Sequence, residues 1–67
     1  MSGYKLREAR GERTQKEVAD ALGISVSALS MYESGVRAPR EEVKVMIAHF
    51  YDRTVGELFF DEKVQQS

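Results

Sequence analysis

Four serines, Ser25, Ser27, Ser30 and Ser34, fall within ten positions of one another. A serine acts as a nucleophile only with a base beside it, and the single histidine, His49, has no place near them in the pattern. His49 has no companion ligands and reads as an ordinary surface side chain. The chain has no cysteine, no cluster of residues spaced to hold a metal, no paired carboxylates and no glycine loop able to cradle a phosphate. The sequence therefore predicts no enzyme, no metal site, no cofactor and no small-molecule ligand. Noncovalent recognition is what remains.

The charges say where such recognition would lie. Formal net charge is −1 over 67 residues, which argues against a strongly basic nucleic-acid coat. Residues 1–40 carry seven Lys/Arg against five acids, net +2, whereas residues 41–67 carry three against six, net −3. A phosphate-facing surface is expected in the N-terminal part.

A chain this short has room for one domain with a small core, and without cysteine nothing covalent staples it. We expect a single domain over 1–67, with a packed part at 4–60 and a tail at 61–67. The longest purely apolar stretch, Val45-Met46-Ile47-Ala48, is far too short to span a bilayer, and Met1-Ser2-Gly3 does not open a signal peptide. A soluble, cytoplasmic protein is the expectation.

The elements that must position any binding residue read as helices throughout. Leu6 and Ala9 recur at helical spacing between Tyr4 and Arg10, and Gly11 supplies a stop. Thr14 and Glu17 stand in the spacing of a capping box ahead of a run, Gln15 to Leu22, whose Val18, Ala19, Ala21 and Leu22 share a face. Gly23 ends that run. Ser25 can cap a third helix that buries Ala28, Leu29 and Tyr32 and closes at Ser34-Gly35. After a loop holding the only proline, Pro39, a fourth helix starts near Arg40 or Glu41. At ~100° per residue its Val43, Met46, Ile47, Phe50 and Tyr51 form one broad apolar face. Asp52-Arg53 turns the chain, and Thr54 with Glu57 begins a short fifth helix containing Val55, Leu58 and Phe59.

Two helices joined by a tight turn and crossing steeply need a small residue at the crossing, a glycine at the turn and an apolar wedge between them. Ala19, Gly23 and the set Val18, Leu22, Ile24, Leu29 and Tyr32 meet these needs together between Gln15 and Ser34. Thr14-Gln15-Lys16-Glu17-Val18-Ala19-Asp20-Ala21-Leu22-Gly23-Ile24-Ser25, followed by Tyr32-Glu33-Ser34-Gly35, resembles the helix-turn-helix of the lambda-repressor/Cro (XRE) family. The likeness runs from about Leu6 to Phe59. It implies an all-α, five-helix DNA-binding domain whose third helix enters the major groove.

The resemblance also implies roles for individual residues. Gln15 would contact a phosphate and an outer base. Ser25, Val26, Ser27, Ser30 and Met31 would face the groove, with Ser25, Ser34, Arg37 and Arg40 as phosphate candidates. Arg7 would pair with Glu33 to tie the first helix to the third. The link Gly11-Glu12-Arg13 is one residue longer than usual for the family, which leaves a phosphate role for Arg10 or Arg13 open. The reading positions hold no Arg, Asn or Gln, so paired hydrogen bonds to guanine or adenine are not expected from them. Val26 and Met31 would pack on thymine methyl groups, Ser27 or Ser30 would make single hydrogen bonds, and groove shape would supply the rest.

The expected function is that of a sequence-specific transcriptional regulator, a repressor by preference, bound to double-stranded DNA as a homodimer. Its two recognition helices would lie about 34 Å apart on a pseudo-palindromic operator. The dimer surface is expected from Val55, Leu58, Phe59, Phe60 and Val64, with Val45 as an outlying candidate, because so small a chain has little interior in which to hide them. The rival reading is an antitoxin-like protein-binding module on the same scaffold, using an apolar patch around Phe59, Phe60 and Val64.

Overall fold

The computed structural model describes residues 4–59. They form α1 (Tyr4–Arg10), α2 (Gln15–Leu22), α3 (Val26–Ser34), α4 (Glu41–Tyr51) and α5 (Val55–Phe59), with no strand among the described residues. The order and type of the elements match the all-α expectation. None of these helices is long and apolar enough to cross a membrane.

Local hydrogen bonding sets most of the boundaries. At the start of α2 the Glu17 N–H donates to Thr14 Oγ1 at 3.0 Å and the Thr14 N–H donates to Glu17 Oε1 at 2.9 Å, a reciprocal pair that satisfies two otherwise orphaned donors. Thr54 and Glu57 repeat it at α5, with 3.0 and 2.8 Å. The Glu57 carboxylate is held below its usual range, chiefly by the Thr54 N–H. Ser25 caps α3 by accepting the Ala28 N–H at 3.0 Å. Gly23 ends α2 at φ 73°, where a β-carbon would touch nothing, so the backbone conformation alone favours glycine there. α4 ends in the same left-handed conformation on Asp52, φ 59°, a residue type that tolerates it better than most.

The helices enclose one core. Leu6 from α1, Val18 from α2, Leu29 from α3 and Ile47 from α4 are its most deeply buried side chains, surrounded by Ala19, Leu22, Ala48, Tyr51, Leu58 and Phe59. α1 packs on α3 and α5, α2 on α3 and α4, and α4 on α5. α5 thus closes the end of the bundle between α1 and α4.

Two sequence expectations need correction. On α4 the buried residues are Ile47, Ala48 and Tyr51, with Val43 packed at the edge, whereas Met46 and Phe50 remain 38% and 36% exposed. The helix is turned so that Ala48 faces inward, and a core of this size has no space for both larger side chains as well. Phe50 lies instead under the Arg13 guanidinium, 5.5 Å from the ring centroid, and edge-on to Tyr51 at 5.2 Å. On α5, Leu58 and Phe59 are 3% and 6% exposed. They belong to the core and offer no surface to a second subunit. Val55 is half-buried against the same core and Val45 is exposed, while Phe60 and Val64 lie outside the described residues.

The Tyr51 hydroxyl is buried without a hydrogen-bond partner. Burial, and then the nearby Glu33 carboxylate, push its ionisation above the ordinary tyrosine value, against the opposing charges of Arg13 and Arg10. Replacing Tyr51 by Phe removes the stranded hydroxyl, so Tyr51→Phe should leave stability unchanged or raise it by about 1 kcal/mol, read from the urea midpoint. The folded chain holds the phenol proton more tightly than the unfolded chain does. That contribution is intact below pH ~10 and is lost as pH rises through the folded value. The parent chain should therefore lose urea resistance above about pH 10 more steeply than Tyr51→Phe.

Candidate nucleic-acid interface

α2 and α3 are joined through Gly23, Ile24 and Ser25, a connection short enough that Ile24 N–H reaches back to the Ala19 carbonyl at 3.0 Å. Ala19 is fully buried. Val18, Leu22 and Leu29 fill the space between the helices, with Ile24 and Tyr32 packed against them. That wedge holds α3 by its inner side and turns Val26, Ser27 and Ser30 outward as exposed residues.

The orientation is locked by a carboxylate. Glu33, near the end of α3, is 3% exposed, the one charged side chain in the core of the described residues. The Arg10 guanidinium donates to both of its oxygens, Nε to Oε2 at 2.7 Å and Nη2 to Oε1 at 3.1 Å, and Gln15 Nε2 donates to Oε1 at 2.9 Å. Arg10 Nη1 also donates to the Arg13 carbonyl at 2.8 Å. One buried acid therefore fastens α1, the α1–α2 link and the start of α2 to α3. Its hydrogen bonds to Arg10 raise the arginine's affinity for its proton further.

The partner of Glu33 is therefore Arg10, and the Arg7 pairing inferred from the resemblance is not made. Arg7 stands one turn earlier on the same side of α1 and remains exposed. The Arg10-Gly11 dipeptide at the end of α1 was the available signal. The bond from Gln15 to Glu33 had no signal in the sequence, because it exists only once α2 and α3 are packed.

The outward residues gather around two adjoining open concavities. Gln15, Val26, Ser27, Ser30 and Met31 line one of about 430 Å³. Arg7, Arg10, Gln15, Ser30, Glu33 and Ser34 line the other, of about 400 Å³. Gln15 and Ser30 are common to both, so they form the shared rim. Ser25 is engaged as the α3 cap, and the Ser34 hydroxyl donates to the Met31 carbonyl at 3.2 Å. The loop after α3 is tied to that same carbonyl by the N–H groups of Val36 at 3.1 Å and Arg37 at 3.4 Å. Arg37 and Arg40 are exposed and make no ion pair among the described residues. His49 is exposed, and no group of acids and histidines among the described residues could hold a metal.

Comparison with known proteins places these features in context. A helix-turn-helix family model matches residues 4–58. The chain is 45% identical over 69 aligned positions to the HTH-type transcriptional regulator AnsR of Bacillus subtilis strain 168, an alignment covering 100% of this chain and 60% of that protein. It is 34% identical over 65 residues to the cryptic phage CTXphi transcriptional repressor RstR of Vibrio cholerae, covering 94% of this chain and 59% of that protein. The chain thus spans about three fifths of the length of the curated relatives it matches. No solved structure matches.

The Glu33 hub makes its members unequal under substitution. Removing Arg10 strands a buried carboxylate, so Arg10→Ala should cost about 3 kcal/mol in urea denaturation, a large part of the stability of so small a domain. Arg7→Ala should change stability by less than about 0.5 kcal/mol. Equal effects would contradict the assignment of the pair.

Proposed function

The chain belongs to the helix-turn-helix family, in its lambda-repressor/Cro (XRE) branch, and from that premise we propose that it is a DNA-binding transcriptional regulator, acting as a repressor, that sets α3 into the major groove of its operator. The observation that carries the reading is the uncharged concavity of Gln15, Val26, Ser27, Ser30 and Met31 beside a loop holding two arginines that make no ion pair among the described residues. A helix fits the major groove, bases are read by its outward side chains, and surrounding donors bind phosphates to set register. Val26, Ser27, Ser30 and Met31 take the reading positions. Arg37, Arg40 and the Ser25 hydroxyl take the phosphates, whereas the single hydrogen of the Ser34 hydroxyl is committed to the Met31 carbonyl.

Gln15 stands between the two tasks. Its amide gives one hydrogen to Glu33 and keeps a second hydrogen and its oxygen for a phosphate or an outer base. A single α3 spans only a half-site, so we propose that the chain acts as a two-fold dimer on a pseudo-palindrome. Leu58 and Phe59 take no part in that dimer. Their burial also removes Phe59 from the apolar patch that a protein-binding module would use.

The phosphate assignment is tested by reversing charge outside the core. With Arg37→Glu and Arg40→Glu combined, retention of duplexes selected from a random library should fall at least about tenfold. For the dimer on its operator, the plot of log affinity against log salt should become less steep by about 4, one phosphate for each of its four arginines. Circular dichroism should show the helices intact. Undiminished retention with an unchanged salt slope would remove both arginines from the interface. Sedimentation at micromolar concentration, with and without selected duplex, should show two copies per operator; one copy per operator would overturn the dimer.

A further inference from the structure

The concavity on α3 holds nothing able to make paired hydrogen bonds to a base except Gln15, whose amide is already partly committed to Glu33. Its remaining surface is apolar at Val26 and Met31 and hydroxylic at Ser27 and Ser30. The base feature in the major groove that apolar side chains recognise is the methyl group on C5 of thymine. A hydroxyl both donates and accepts, so a serine beside that methyl tolerates either a carbonyl or an amino group on the neighbouring ring carbon. Such a surface senses the methyl and is indifferent to which pyrimidine carries it.

Resting on the reading of α3 as the groove-facing helix, we propose that recognition by this chain is 5-methyl-dependent, with Val26 and Met31 contacting the C5 methyl of a pyrimidine and accepting 5-methylcytosine in place of thymine. Duplex DNA is the occupant that the surroundings favour. No carboxylate lines the concavity, and the one acid of the adjoining concavity, Glu33, is neutralised by Arg10. The backbone N–H of Arg37 is bonded to the Met31 carbonyl, which anchors a cationic loop next to the apolar surface. Two apolar side chains are also too few for the groove-filling face of a partner helix, which needs anchors over several turns.

The test uses the full chain and duplexes that it selects from a random library. Each thymine of a selected site is replaced in turn by deoxyuridine, which deletes the methyl and keeps the base pair. At positions that respond, the thymine·adenine pair is then replaced by cytosine·guanine or by 5-methylcytosine·guanine. Affinity should fall about fourfold for each contacted methyl removed, the equivalent of ~0.8 kcal/mol for one buried methyl, and 5-methylcytosine should bind about fourfold more tightly than cytosine. In Val26→Ala and Met31→Ala both ratios should shrink below about twofold.

Equal binding of thymine and deoxyuridine at every position would overturn the proposal while leaving DNA binding in place. Ratios that survive in both variants would mean that the methyl acts through groove shape, which also overturns it. Failure to select any duplex would take down the groove-facing reading itself, and this inference with it.

Discussion

A carboxylate enclosed by protein must be met by donors, because an unanswered buried charge costs more than a small domain can lose. Here that carboxylate is Glu33, and its donors come from the end of α1, where Arg10 binds both oxygens, and from the first residue of α2, Gln15. Arg10 in turn holds the carbonyl of Arg13 in the link between those helices. The apolar wedge fixes how closely α2 and α3 approach. Apolar contact is weakly directional, whereas these hydrogen bonds are directional, and they set which way α3 faces.

Division of labour on the outer surface follows from that orientation. The concavity of Gln15, Val26, Ser27, Ser30 and Met31 carries no charge, and Arg37 and Arg40, which make no ion pair among the described residues, lie on the loop after α3, which is stitched to the Met31 carbonyl. In the function proposed above, attraction to phosphate and discrimination between bases are supplied by different residues. Overall acidity is compatible with this arrangement because the excess acids lie in residues 41–67, largely on α4 and beyond. A chain of net charge −1 can present a cationic border where α3 is exposed.

Scarcity of interior shapes the rest. α4 turns Ala48 inward to pack closely and leaves Met46 and Phe50 at the surface, where the Arg13 guanidinium partly covers Phe50. α5, only five residues long, contributes Leu58 and Phe59 to the same core. The apolar residues of α5 that a larger protein would have to spare for a partner are consumed here in closing the bundle. Lys44 follows the same economy, lying half-buried with its ammonium 5.8 Å from the Phe59 ring centre.

Helix boundaries were legible in the sequence because they depend on neighbours within four residues. Thr14 with Glu17, Thr54 with Glu57, Ser25, Gly23 and Gly35 satisfy or terminate a helix wherever the chain goes afterwards, and both ends of α2 and α3 and the start of α5 fall where those residues predict. The wedge of Val18, Leu22 and Leu29 was legible for the same reason, since its members are set by a periodic pattern on two adjacent helices. Choices among equivalents were not legible. Arg7 and Arg10 lie one turn apart on α1, and only the packing of α1 against α3 brings Arg10 to Glu33. Periodicity alone allowed Met46 and Phe50 to face inward; the space left by α2 and α5 decided for Ala48. Local rules assign each residue its helix and its approximate face, while the last tens of degrees of rotation, and hence the partner of every charge, belong to the assembled fold.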